Sequence, residues 1–268
     1  MALSPRASVD LQPDERIKIN LSSGFYHQDP AALLATQFPD LVASRNFQNS
    51  IGVTYKPVPR LTLGAEAYLK RYDNLVIFDS TQRYSNLGEG NVRGLEFKFD
   101  YDQSRWELKA NYTLSKAEQR RNLQDAVYPY TFDQRHQFNA NFIYKSNAAK
   151  IWVPRRIQLD WRYASGRPFT LPTGVIGPIG QQSLQWGAIN AQRLASSHSL
   201  NFRLQWQTSL GGGWRYGLEW YLSLWNLYAH SNPIRNNFWL DPTEPDVVQT
   251  DLVESLPIFF DLGLAFRF

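Results

Sequence analysis

Hydrophobic side chains fall on every second position through most of the chain. In residues 260–268, Phe260, Leu262, Leu264, Phe266 and Phe268 alternate with Asp261, Gly263, Ala265 and Arg267. Trp214, Tyr216, Leu218, Trp220, Leu222 and Leu224 repeat the pattern, as do Leu200, Phe202, Leu204 and Trp206. So do Leu95/Phe97/Phe99/Tyr101, Leu61/Leu63/Ala65/Ala67/Leu69 and Ile17/Ile19/Leu21. A period of two is that of a β-strand with one apolar and one mixed face. Read throughout, the pattern predicts about eleven strands, several of ten residues or more, against a mean of about five to six in soluble sheets. That length suits a tilted crossing of a bilayer.

The connections sort into two classes. Residues 12–16, 56–60, 102–105 and 210–213 are tight turns rich in Pro, Gly, Asp and Ser, and 146–154 is a longer member of that set. Residues 27–45, 73–90, 117–134, 166–197 and 227–254 are long. A barrel with both ends in one solvent has no reason to sort its loops. An outer-membrane barrel turns tightly in the periplasm and loops widely outside. Counting strands back from a periplasmic carboxy terminus puts the start of the chain at the extracellular rim.

Composition agrees. The 268 residues have a mean hydropathy of −0.43, and no apolar run is long enough for a membrane helix. Alternation hides a barrel's membrane signal, because only every second residue meets lipid. Aromatics make up 15%, with 9 Trp, 14 Tyr and 16 Phe, many near strand ends where interfacial girdles form. One Met and no Cys suit transit through an oxidising periplasm. The net charge of +4 is dispersed, which argues against nucleic acid as a partner. Residues 1–6 lack a basic stretch followed by an apolar core. The expectation is therefore that an export signal lies in further sequence or that the reading frame is a fragment.

Several short motifs now line up. They are Ser4-Pro5-Arg6, Ser22-Ser23-Gly24-Phe25-Tyr26-His27-Gln28-Asp29-Pro30, Gly90-Asn91-Val92-Arg93-Gly94-Leu95-Glu96 and Asp133-Gln134-Arg135-His136. Trp225-Asn226-Leu227-Tyr228 with Asn232-Pro233, then Leu256-Pro257-Ile258 and the final Phe268, complete the series. In this order the set resembles the barrel of TonB-dependent outer-membrane receptors. The resemblance implies an all-β fold, an antiparallel transmembrane β-barrel of which residues 1–268 are the carboxy-terminal portion. Such receptors have twenty-two strands and an amino-terminal plug; here there are about eleven strands and no plug domain. It further implies uptake of a bulky, scarce nutrient (siderophore, vitamin, saccharide or peptide) across the outer membrane of a Gram-negative bacterium. The implied partners are outer-membrane lipid, the barrel-assembly machinery, the missing amino-terminal barrel half and its plug, and TonB through that plug alone.

Candidate ligand contacts are the loop residues Tyr84, Tyr128, Tyr130, Arg167, Trp186, Phe238 and Trp239, since aromatic and arginine side chains anchor binding surfaces. Packing within the loops would use the same residues. Phe266 and Phe268 are the expected assembly signal. The inward charges, among them Glu66, Glu96, Lys98, Asp100, Glu107, Asp160, Arg203 and Asp261, are expected to alternate in sign across neighbouring strands. His136 and His198 suit either a rim residue bonded to its neighbours or a metal or proton-sensing site, and the latter needs converging ligands. No nucleophile with an orienting base is visible, so no catalytic residue, cofactor or metal is assigned. A passive porin-like or small closed barrel, and an outer-membrane enzyme barrel, stand as the alternatives.

Overall fold

The structure, a computed structural model, describes residues 3–78, 84–147, 152–209 and 217–267. Strands β1 (Arg6–Asp14), β2 (Ile17–Gln28), β3 (Ser44–Val58), β4 (Leu61–Phe78), β5 (Tyr84–Gln103) and β6 (Trp106–Arg120) follow one another as antiparallel neighbours. A six-residue helix, α1 (Ala32–Gln37), interrupts the β2–β3 loop. The short β7 (Tyr128–Pro129) folds back on β6, and β8 (His136–Lys145) and β9 (Arg156–Ala164) resume the wall. The next loop carries β10 (Pro168–Phe169), β11 (Pro172–Ile176), β12 (Ser183–Trp186) and β13 (Gln192–Arg193), paired as β10–β13 and β11–β12. Strands β14 (Ser197–Ser209) and β15 (Gly217–Trp225) follow, then the loop hairpin of β16 (Pro233–Leu240) and β17 (Val248–Glu254), and finally β18 (Phe259–Arg267).

One sheet in the order β1-β2-β3-β4-β5-β6-β8-β9-β14-β15-β18 holds the wall, which is the eleven-strand meander the alternation predicts. Among the described residues β1 pairs only with β2, and β18 only with β15. Among the described residues the wall thus has two edges, β1 and β18, which do not pair with each other. The tight turns expected at 12–16, 56–60 and 102–105 join β1 to β2, β3 to β4 and β5 to β6. The Asp14 carboxylate accepts hydrogen bonds from the backbone N–H groups of Arg16 (2.7 Å) and Ile17 (2.9 Å), reversing the chain between β1 and β2. The 210–213 turn and Trp214 to Tyr216, like Phe268, lie outside the described residues.

The predicted loop at 73–90 differs from the structure. β4 has 18 residues and β5 has 20, and their pairing climbs to Phe78–Tyr84, so a two-stranded ribbon rises where an irregular loop was expected. Pairing continues through Leu75↔Gly88 and Ile77↔Ser85 past two register shifts, at Tyr72/Leu75 and Leu75/Ile77, with Asn74 at φ +57°, while Arg71 and Asp73 stand at the outward positions that Leu61 to Leu69 hold lower down. A strand leaving the bilayer keeps its period and loses its lipid-facing hydrophobicity.

Burial is inverted relative to a water-soluble protein. Only Ile143 and Trp206 are buried hydrophobics among the described residues, whereas Phe260, Leu262, Leu264 and Phe266 are 57–69% exposed. The chain exposes 17934 Å², against about 12,000 Å² for a compact monomer of this mass. The apolar face is thus turned outward. From Leu61 to Leu69 it spans eight residue steps, roughly 27 Å along a strand and about 21 Å once tilted, close to the apolar band of an outer-membrane barrel. Aromatic girdles bound it. At the periplasmic edge Trp106 packs on Tyr144 with centroids 4.5 Å apart, and Trp206 stacks on Trp220 at 3.9 Å. At the extracellular edge Phe138, Trp161 and Tyr163 form a chain of rings, and the Trp161 indole N–H donates to the Tyr228 hydroxyl at 3.3 Å.

The inner face is polar, but not in the expected alternation of sign throughout. Lys98 pairs with Asp100 (2.9 Å) and Lys145 with Glu107, while Asn141 donates to Asp160 at 2.5 Å. Glu66, however, stands directly opposite Glu96 in the β4–β5 register. Register, which composition does not encode, placed the two carboxylates side by side.

Candidate ligand-binding mouth

Strand extension brings three tyrosines to the extracellular end of the inner face. Tyr26 on β2 and Tyr72 on β4 point inward by alternation, and Tyr130 follows β7, which is tied back to β6. They line a cavity of about 560 Å³ with Gln119, Val92 and Asn46. The Arg6 guanidinium covers the Tyr26 ring at 4.1 Å, a cation–π contact. Tyr130 also meets Phe132 edge-on at 5.6 Å, and Arg167 lies 6.0 Å from the Phe132 centroid.

Two loops are held beside this cavity by buried polar anchors. Asp133 is 2% exposed. Its carboxylate pairs with the Arg193 guanidinium and accepts the Ala117 N–H, while Arg193 also donates to the carbonyls of Asp133 (2.9 Å) and Gly166 (3.1 Å). Asn190, at φ +54°, donates to the Pro129 carbonyl at 2.8 Å and to Thr131 at 3.3 Å. The left-handed region favours Asn among non-glycine residues, because its amide can bond locally or across. Asp133 of the Asp-x-Arg-His motif therefore anchors a loop. Asn226 plays the same part on the other side. Also at φ +54°, it takes the Asn201 amide oxygen on its N–H (3.0 Å) and donates to the carbonyls of His230 (2.8 Å) and Pro257 (2.5 Å).

The seven loop candidates do not converge on one point. Trp186 and Phe238 meet edge-on with centroids 6.2 Å apart, and Phe169 stacks on Phe238 at 6.1 Å, joining the 166–197 loop to the β16–β17 hairpin. Gln182 adds a bond to Asp246 across the same seam, at 2.9 Å. Tyr130 and Arg167 share Phe132. Tyr84 packs instead with Phe38 and Phe78, on the β4–β5 ribbon. Tyr128 is tied to Gln119 at 3.4 Å, and burial raises its phenol above the ordinary value. Trp239 points away from Phe238 along β16 and is 44% exposed. Sequence reading missed Tyr26, Tyr72, Phe132 and Phe169. The first two carried a signal, since strict alternation places both on the inner face.

Both candidate histidines are on the outward face, away from the mouth. The Tyr112 hydroxyl and His136 Nδ1 are 2.8 Å apart, and His198 Nδ1 lies 2.8 Å from the Tyr228 hydroxyl with its ring stacked on His230 at 3.8 Å. No group of three or more His, Asp or Glu side chains comes together as a metal site among the described residues.

Against known proteins, the sequence model of the TonB dependent receptor-like β-barrel matches residues 1–229. The chain belongs to this family. No curated protein matches it by sequence. Solved TonB-dependent receptors share its fold. The ferric-catecholate import receptor Fiu of K12 E. coli aligns over 98% of this chain and 34% of its own, at 15% identity and a TM-score of 0.63. The FrpB iron transporter of Neisseria meningitidis aligns over 99% and 38%, at 14% identity and a TM-score of 0.66. The ferripyoverdine receptor of the outer membrane of Pseudomonas aeruginosa aligns over 98% and 32%, at 11% and 0.64. The chain thus spans about a third of the length of these relatives (32–38%). TonB-dependent receptor barrels are Gram-negative outer-membrane proteins, which accounts for the outward apolar band.

Proposed function

We propose that residues 1–268 form the carboxy-terminal portion of a TonB-dependent barrel that takes up a ferric chelate of the siderophore type. The observation that carries the ligand class is the mouth: Tyr26, Tyr72 and Tyr130 line one cavity, with Arg6 on the first and Arg167 beside the Tyr130–Phe132 pair. Aromatic faces and guanidinium groups suit a bulky, anionic, partly aromatic chelate better than a neutral saccharide. Iron is cargo in this reading, and the solved relatives named above are iron receptors by their descriptions.

Edges β1 and β18 support the larger assembly. Unpaired backbone groups in hydrocarbon each cost several kcal/mol, so further strands are proposed to meet both edges, and a plug outside residues 1–268 is the proposed route to TonB. The outward Phe266, 57% exposed, fits recognition by the barrel-assembly machinery.

The test is ligand binding by the whole receptor in outer-membrane vesicles, read by tryptophan quenching. A ferric catecholate or pyoverdine chelate is expected to quench, and Tyr130→Ala with Arg167→Ala to weaken it about tenfold, as loss of an anchoring contact does. Quenching by cobalamin or a maltodextrin with no response to any ferric chelate overturns the ligand class. Steady channels in planar bilayers without ligand overturn the plugged-receptor reading.

A further inference from the structure

Two of the four histidines meet face to face at the extracellular rim. His198 lies on the outward face at the start of β14. His230 returns onto it from the 226–232 loop, which leads from β15 to the β16–β17 hairpin, and the rings are 3.8 Å apart between centroids and 13° from parallel. The other two histidines are not paired in this way among the described residues. His27 Nδ1 lies 3.0 Å from the Ser4 hydroxyl, and His136 Nδ1 lies 2.8 Å from the Tyr112 hydroxyl.

The stacked pair is tied into the backbone of the loop. Asn226 accepts the His230 N–H (3.2 Å) and donates to the His230 carbonyl (2.8 Å), while Asn232 accepts the His198 N–H (2.6 Å). The Leu227 N–H reaches the Leu200 carbonyl on β14 at 2.7 Å. Between these ties Ala229 stands at φ +54°, a conformation that is costly for a residue with a Cβ and persists where its surroundings impose it. The loop is thus held under strain by its fastening to β14.

That fastening has a protonation state built into it. The Trp161 indole N–H can only donate, and it lies 3.3 Å from the Tyr228 oxygen, whose own hydrogen is then free for His198 Nδ1 at 2.8 Å. A ring nitrogen that accepts is bare, so the relay closes on a neutral His198. A proton on Nδ1 would set two donors on one hydroxyl oxygen and deprive the hydroxyl hydrogen of its acceptor. One charged ring can still face a neutral one, as a cation faces an aromatic ring. Two imidazolium rings at this distance repel. Among the described residues neither ring forms an ion pair that would offset the charges. The titratable neighbours are Tyr228 and, across the β9 register, Tyr163. Arg162 and Asp261 occupy inward positions, and Arg235 and Glu254 stand at the base of the β16–β17 hairpin.

We infer that the His198–His230 stack is a proton-operated clasp on the 226–232 loop, closed while the rings carry at most one charge and released when both are charged. The released loop takes up protons that the clasped one refuses. The contribution of the clasp is therefore complete above the ordinary imidazole value of about 6.5 and is lost as the pH falls below it. Release frees the base of the β16–β17 hairpin and, through Phe238, loosens its contact with the 166–197 loop. The clasp is independent of the proposed cargo.

The test is amide hydrogen exchange of the purified whole receptor in dodecyl maltoside micelles, read by mass spectrometry at about pH 7.5 and about pH 5 and corrected for the intrinsic pH dependence of exchange. Folding is checked by heat-modifiable gel migration. Protection across 226–232 should fall about tenfold in acid, as repulsion between two charges this close in partly solvated surroundings requires, while the wall strands keep theirs. His230→Phe retains a stacked ring and carries no second charge, so protection at the higher pH should stay and the acid loss should vanish. If that variant does not fold, His198→Gln, whose amide can still meet the Tyr228 hydroxyl, should flatten the profile in the same way. Asp241→Asn should leave the acid loss at 226–232 as it is, because the Asp241 carboxylate, held low by the Thr243 hydroxyl, keeps its charge throughout this range. Equal protection of the parent at the two pH values overturns the inference. So does a His230→Phe profile that still falls in acid, or an acid loss shared equally by the wall strands.

Discussion

The Tyr68 ring lies flat over Gly94 on the inner face of the wall, filling the space a side chain would take there. A Cβ built on Gly94 would sit 2.5 Å from both Cζ and the hydroxyl oxygen of Tyr68. Tyr221 covers Gly263 in the same way at the β15–β18 pair, and Arg203 stacks on its ring at 3.7 Å. Glycine weakens a strand, and an aromatic neighbour laid across it restores packing.

Gly94→Ala is therefore expected to destabilise the barrel by about 1–3 kcal/mol, the usual cost of overpacking. Tyr68→Ala in the same chain should recover part of that loss by making room. Urea midpoints of the heat-modifiable folded form measure both, and a Gly94→Ala midpoint equal to that of the parent would show that the ring moves aside freely.

Asp133 and Arg193 give a second expectation. With Asp133 at 2% exposure, Arg193→Ala leaves a buried carboxylate without its cation, at a cost of about 3–5 kcal/mol in a closed site. Arg193 is 35% exposed at its side chain, so water will meet part of the charge and the lower end applies. The loss should appear as faster hydrogen exchange and proteolysis confined to 117–135 and 166–197, with the wall strands unchanged. Asp133→Asn on top of Arg193→Ala should slow it again.

Alternation made most of the wall legible, since Phe260, Leu262 and Leu264 can be assigned to lipid from spacing alone. The mouth was less so, for reasons of register and distance along the chain. Asn190 bonds Pro129 across 61 positions, and nothing local marks either residue. Glu66 faces Glu96 because of the β4–β5 register, which passes two shifts, at Tyr72/Leu75 and Leu75/Ile77, that side-chain type does not reveal. Arg71 and Arg93 could have flagged the bilayer boundary, because both occupy apolar-phase positions with charge. Residue type alone singles out Tyr84 and Trp239, and type does not say which ring a neighbour already holds.

Phe238 joins two loops through Phe169 and Trp186. Phe238→Ala removes both ring contacts and should loosen the 166–197 loop against the β16–β17 hairpin. Because Phe238 lies outside the mouth cavity, any loss of ligand affinity should come through loop mobility, as faster release with little change in capture rate. Stopped-flow quenching separates the two rates, and an unchanged release rate would assign the three rings to structure alone.

The last expectation concerns pH and the tip of the β16–β17 hairpin. The Asp241 carboxylate accepts the Thr243 hydroxyl (2.6 Å) and N–H (2.8 Å), the Glu244 N–H (3.2 Å) and the Gln249 amide (2.8 Å). Led by the Thr243 hydroxyl, these donors hold its pKa well below the ordinary carboxylate range. A depressed carboxylate stabilises its folded surroundings in the ionised form. The contribution is complete above the ordinary Asp value of about 3.9 and is lost as pH falls from there toward the folded value. Amide exchange at 241–249, corrected for its intrinsic pH dependence, should thus keep its protection from neutral pH down to pH about 4 and lose it as the pH falls further. Asp241→Asn should weaken protection at neutral pH and remove this acid dependence. Because the group is solvent-exposed, the change should stay within the hairpin and leave the heat-modifiable wall intact; a shift of the whole barrel's unfolding midpoint would place the acid sensitivity elsewhere.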